Sequence, residues 1–155
     1  MDLLWRRKMT KASAVVVMVC FLGMPFTAAS SGPDWVLYGR PDSGSLVAYY
    51  DRAKVVRIGD GMLRVTVKYV YSEGGKKEVI RSRERSELRT EGYENLGYSM
   101  VQYELDCGKG QQSIFSISEM DLNGKELDHY NPSGRIWTPV KPGGIGEALI
   151  KEVCK

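Results

Sequence analysis

The chain has 155 residues, with 22 Lys and Arg against 19 Asp and Glu, and a formal charge of +3. Arg6, Arg7, Lys8 and Lys11, offset by Asp2, carry all of that charge, so the sequence beyond the N-terminal segment is net neutral. A neutral domain lacks the basic face on which nucleic-acid recognition rests, which excludes nucleic acid as the expected partner.

The cationic start is followed by an apolar run from Ala12 to Phe26 and by Thr27-Ala28-Ala29-Ser30. Cationic region, apolar region and small-residue site, in that order, predict a secretory signal peptide over residues 1–29, cut after Ala29 or, as second choice, Ser30. Gly23 and Pro25 interrupt the apolar run, and it falls short of the ~20 residues of a spanning helix, so no membrane span is expected in the mature form. Met9 is an alternative start that would remove the arginine pair. Cys20 follows Val17-Met18-Val19, which is not a lipobox, so lipidation is not expected. The mature part, about 126 residues, is one domain's worth of chain, placed at 34–155. Its location is the periplasm, the cell surface or the medium.

In chain order, Asp34–Gly39, Leu46–Asp51 and Lys54–Ile58 read as short strands separated by Gly, Pro and Ser. Met62–Tyr71 alternates with period two, Leu63, Val65, Val67, Tyr69 and Tyr71 on one face and Arg64, Thr66 and Lys68 on the other. Ser72–Lys77 reads as a loop and Glu78–Thr90 as an exposed helix laced with opposite charges. Tyr98–Cys107 alternates again, with Val101, Tyr103, Leu105 and Cys107 on the core side and Gln102, Glu104 and Asp106 opposite. Asn123-Gly124 predicts a hairpin turn between Ser113–Leu122 and Lys125–Tyr130. Ile136–Val140 leads through Pro142-Gly143-Gly144 to a helix from Ile145 to about Val153, apolar along Ile145, Ala148, Leu149 and Val153. The expected fold is α+β: an antiparallel sheet of about six strands with one charged helix and a short C-terminal helix packed on it.

Two cysteines remain after export, Cys107 and Cys154, and an even count in an oxidising compartment reads as a disulfide. The bond would contribute about 4 kcal/mol on the chain-entropy account. Cys154 lies off the apolar stripe of the terminal helix, so the pairing requires its last turn to fray or unwind. The competing reading, a metal site, has only His129 to add to the two thiols and is poorly furnished. No metal and no cofactor are expected.

No catalytic set stands out. His129 is the one histidine, in Asp128-His129-Tyr130, and nothing selects a nucleophile or an orienting acid for it. Asp51, Asp60, Glu104, Asp106 and Asp121 could supply paired carboxylates, but a domain this small offers little room for the cleft they would need. Gly59-Asp60-Gly61 and Gly108-Lys109-Gly110 are turns without phosphate-loop spacing. Aromatic residues are the surplus, with nine Tyr in the chain. Tyr and Trp anchor interfaces, and Tyr38, Tyr50 and Tyr98 are the candidates for an exposed binding surface.

Several landmarks occur together: Trp35-Val36-Leu37, Tyr49-Tyr50-Asp51, Val55-Val56-Arg57-Ile58, Leu63-Arg64-Val65 and Tyr103-Glu104-Leu105-Asp106-Cys107. They continue with Asp121-Leu122-Asn123-Gly124-Lys125, Trp137-Thr138-Pro139-Val140-Lys141-Pro142 and Glu147-Ala148-Leu149 before Cys154. In this order they resemble the surface-adhesin protein E family across the mature chain. The resemblance implies a small exported module and a non-enzymatic binding role toward envelope or extracellular-matrix proteins such as laminin and vitronectin. A second copy of the chain is also a candidate partner. The other reading is a small periplasmic hydrolase built on a Ser, His129 and an Asp.

Overall fold

Met62–Tyr71 (β4) and Leu96–Asp106 (β5) form the centre of an antiparallel sheet, paired without a break from Met62 opposite Asp106 to Val70 opposite Tyr98. The structure is a computed structural model and describes residues 32–155; the predicted signal peptide and its predicted cleavage site at Ala29 or Ser30 lie outside the described residues. Trp35–Gly39 (β1) and Leu46–Asp51 (β2) extend the sheet on one side of β4, and Val56–Gly59 (β3) pairs with the other end of β4. Gln111–Asp121 (β6) and Glu126–Tyr130 (β7) extend it beyond β5, and the short Thr138–Pro139 (β8) joins β6. The main order is β1-β2-β4-β5-β6-β7, the expected α+β sheet with β3 and β8 as short additions.

Side chains two apart share a sheet face. The face carrying Ala48, Tyr50, Leu63, Val65, Val67, Tyr69, Val101, Tyr103 and Leu105 is buried, and Leu149 of the C-terminal helix Ile145–Val153 (α2) completes its cluster. Ile145 of α2 sits so close to β1 that a Cβ on Gly39 would lie 3.1 Å from its Cγ2. Burying these aliphatic and aromatic groups at roughly 25 cal/mol per Å2 is what holds the helix to the sheet.

The other helix (α1) spans Glu73–Arg85, so the predicted loop at Ser72–Lys77 is helical and the predicted helix ends early. Gly74-Gly75 misleads as a breaker pair. Gly75 is required by proximity: a Cβ there would lie 1.9 Å from the Ser45 carbonyl oxygen. Ser72 caps the helix by accepting the Gly75 N–H at 3.1 Å, while its own N–H and hydroxyl both donate to Ser45. At the far end Glu87 takes a left-handed φ of 55°, and the Leu88 N–H turns back to the Arg83 carbonyl at 2.9 Å, which stops the helix.

Cys107 and Cys154 are joined, with Cα atoms 5.6 Å apart, and tie the end of α2 to the end of β5. No turn unwinds to permit this. The helix stops at Val153, and Cys154 leaves the helical path alone at φ −93°, ψ 36° while its N–H still reaches the Ile150 carbonyl.

A chain of hydroxyls runs through the core: Tyr38 donates to Tyr69 at 3.3 Å, and Tyr69 donates to Tyr103 at 3.2 Å. Burial pushes all three phenols far above the ordinary range. A group whose pKa is raised by folding contributes stability that is complete below its unfolded pKa, about 10 for tyrosine, and lost as pH rises toward the folded value. Alkaline titration followed by tyrosinate absorbance is therefore expected to show these three phenols ionising together with unfolding; their titration in the native protein near pH ~10 would contradict the buried chain. Urea unfolding of the Cys107→Ser, Cys154→Ser double variant is expected to show a loss of about 2–5 kcal/mol, and an unchanged midpoint would show that the tether contributes nothing.

Candidate interaction surface

The opposite face of the sheet carries neither helix among the described residues. Its centre is a row in which each residue lies opposite the next across all six strands of the main order: Leu37, Tyr49, Lys68, Met100, Ser118 and His129. A neighbouring row runs Val47, Val70, Tyr98 and Met120. Every side chain in these two rows is half-buried or exposed, and Trp35 lies beside them on β1. Lys68 organises the middle: its Nζ lies 4.2 Å from the ring centre of Tyr98 and 5.8 Å from that of Trp35. Such contacts contribute about 0.5–1 kcal/mol each at exposed sites and hold the rings in place.

The sequence candidates divide by strand parity. Tyr98 stands on this open face. Tyr50 does not: it is 6% exposed, in the core, with its ring edge-on to Tyr38 at 6.1 Å. Tyr38 shares that side and points its hydroxyl at Tyr69. Neither offers a free surface, because both stand on the face that α2 covers. Tyr49, Trp35 and Leu37, each one residue or a few away, hold the open positions instead. The signal was present in the partner strand: pairing Tyr49 with Lys68 puts Tyr49 on the polar side of β4.

The open face ends toward β6 in a buried charge cluster. Glu104, expected on a wet face, is 1% exposed. It accepts from Arg64 at 2.6 Å and from Arg135 at 2.9 Å, and Arg64 stacks 3.9 Å above the ring centre of Phe115. Both hydrogen bonds fall on Oε1, and Oε2 is held by ion pairing to Arg135, so two guanidiniums offset the buried charge.

His129 does not stand between a serine and an acid as the middle of a relay. Ser118 Oγ lies 2.7 Å from Nδ1, and Glu126 Oε2 lies 3.6 Å from the same nitrogen. A nucleophile and an orienting acid must use opposite ring nitrogens for the proton to be relayed. His129 also borders a hollow of about 270 Å3 with Glu119 and Asp128. Those carboxylates are already engaged: Arg83 donates to Glu119 at 2.9 Å and to Asp128 at 2.5 Å, and the Tyr93 hydroxyl donates to Glu119. Arg83 holds Asp128 below the usual carboxylate range. Arg83 was not legible as special among the arginines of its charged helix, although it falls three residues after Ile80, on the inward stripe. Among the described residues no group of three or more His, Cys, Asp or Glu converges as a metal site.

Residues 35–155 match the surface-adhesin protein E family. The chain belongs to this family. Membership points to an adhesin-like protein of the cell surface. No helix among the described residues is long and apolar enough to cross a membrane. No curated protein and no solved structure matches the chain significantly.

Arg83→Met would leave the largely buried Glu119 without its cation, held by the Tyr93 hydroxyl. The expected cost is about 2–4 kcal/mol in chemical unfolding, reduced from the fully buried case because Asp128 is partly hydrated. The Arg83–Asp128 pair contributes stability above the unfolded Asp pKa of about 3.9 and loses it as pH falls through the lower folded value, so Asp128→Asn is expected to flatten that acid limb. A wild-type acid limb in Asp128→Asn would contradict this pairing.

Proposed function

We propose that this adhesin E-family domain is a non-enzymatic protein-binding module of the cell envelope, exported by the signal peptide at 1–29 and docking partners on its open sheet face. The observation that carries the reading is the row of half-exposed aromatic and methionine side chains, Trp35, Tyr49, Tyr98 and Met100 around Lys68, on the face that neither helix covers. Tyr, Trp and Met are enriched in interface centres, where large area is gained at a small cost in rotamer freedom. The side chains stand on hydrogen-bonded strands, so binding requires little ordering of the main chain. Family membership supports the same class of partner, an envelope or extracellular-matrix protein. The shared-nitrogen geometry at His129 supports placing catalysis second.

Surface plasmon resonance against immobilised laminin and vitronectin, with in-cell crosslinking for envelope partners, tests the reading. Tyr98→Ala and Trp35→Ala are each expected to weaken the bound complex by about tenfold or more while leaving the unfolding midpoint within a few degrees of wild type. Absence of any partner in both experiments, or full binding by the double variant, would sink the proposal. Mass spectrometry of the exported protein is expected to give an N-terminus at Ser30 or Ser31.

A further inference from the structure

The outer edge of β6 is paired at two places and bare between them. β8 takes Gln111 and Gln112, and β7 takes Ile117 to Met120. Residues 113–116, where a bulge at Phe115 interrupts the pairing of β6 with β5, have no strand beside them on the other side, because segment 131–137, between Tyr130 and Thr138, folds toward Glu104 on the open face and does not pair with β6. Under the arch lies a hollow of about 230 Å3 walled by Ser113, Ile114, Tyr130, Ile136 and Thr138. Ile136 is 75% exposed and Tyr130 59%, a large apolar area to leave in water. Ser113 is the reverse: it is 2% exposed, and its Oγ has no hydrogen-bond partner among the described residues. An adjoining hollow of about 410 Å3 shares Ile114 and Pro132 and extends to Phe115 and Arg135. Beside it Arg135, which lines this hollow, and Arg64, behind the Phe115 ring, share the single carboxylate of Glu104, which leaves one positive charge in excess.

We propose that this gap is a docking site for an extended segment of a partner protein that carries an apolar side chain next to an acidic one. Each requirement answers a feature of the wall. The bare edge of 113–116 takes main-chain hydrogen bonds from an added strand. Ile114, Tyr130 and Ile136 enclose an apolar side chain. The excess guanidinium charge at Arg64 and Arg135, beside Glu104, meets the carboxylate. The gap uses none of the residues at the centre of the open face, so it stands or falls separately from the surface proposed above.

The test is 15N–1H correlation spectroscopy of the protein with blocked synthetic pentapeptides. The probe is acetyl-Thr-Val-Asp-Val-Thr-amide; the comparisons replace its Asp by Lys or its first Val by Pro. The aspartate probe is expected to shift the amides of residues 113–116 and of Ile136 with Kd in the millimolar range or tighter, about 0.1–1 mM. The lysine probe is expected to bind at least about fivefold more weakly, and the proline probe not to shift these amides, since it lacks a strand donor. Ile136→Asp, at an exposed position, is expected to keep the free spectrum and weaken the aspartate probe about tenfold or more. The proposal is overturned if the aspartate probe leaves these amides unmoved at about 5 mM, if the lysine probe binds equally, or if Ile136→Asp binds as wild type. It is also overturned if the same amides move with protein concentration alone, which would assign the gap to a second copy of the chain.

Discussion

The pairing of β4 with β5 is the constraint on which the other features depend. From Met62–Asp106 to Val70–Tyr98 it runs without a bulge, and a slip of one residue would exchange the two faces of either strand. In this register Leu63, Val65 and Val67 join Val101, Tyr103 and Leu105 in one apolar layer. The same register places Cys107 where Cys154 can reach it, sets Arg64 opposite Glu104, and brings Lys68 over Tyr98. Core, tether, buried ion cluster and aromatic surface are four consequences of one alignment.

The helices make the two faces unequal. Both serve the same side: α2 through Leu149 and the disulfide, α1 through its start against Ser45 and its end at Glu119 and Asp128. A sheet covered on one side needs a reason for the other side to remain soluble, and the usual reason is a polar outer face. Here that face is mixed. Lysine, serine and histidine lie among tryptophan, tyrosine and methionine, which keeps it compatible with water while leaving large side chains at the surface. Membership in a family of surface adhesins agrees with such a face.

Buried polar groups stiffen this arrangement at its margins. Asp51, fully buried at the end of β2, accepts from the Asp34 and Ala53 N–H groups and so fixes where β1 begins. Glu104 draws Arg135, and with it the 131–137 arch, onto the end of the open face. Arg83 clamps α1 to β6 and β7 while covering the Tyr93 ring at 4.2 Å. Each of these groups is acceptable in a low-dielectric setting only because its partners come from a different element, so each also acts as a geometric pin.

The sequence by itself determined the strands and their alternation, because the period-two pattern of Met62–Tyr71 and Tyr98–Cys107 is local information: each residue's face follows from its neighbours. It also determined the Asn123-Gly124 turn, where Gly124 takes φ 81°, and the apolar stripe of α2, since backbone preference and helical spacing are properties of adjacent residues. The family resemblance was legible for the same reason, as ordered short landmarks. Only the tertiary structure decided that Gly75 opens a helix by yielding space to Ser45, that Tyr49 faces water while Tyr50 does not, and that Glu104 and Arg83 are buried. It alone left β6 bare at 113–116. These outcomes depend on which distant segment arrives alongside, and contact between segments tens of residues apart is set by packing and by burial of charge, neither of which a local pattern encodes.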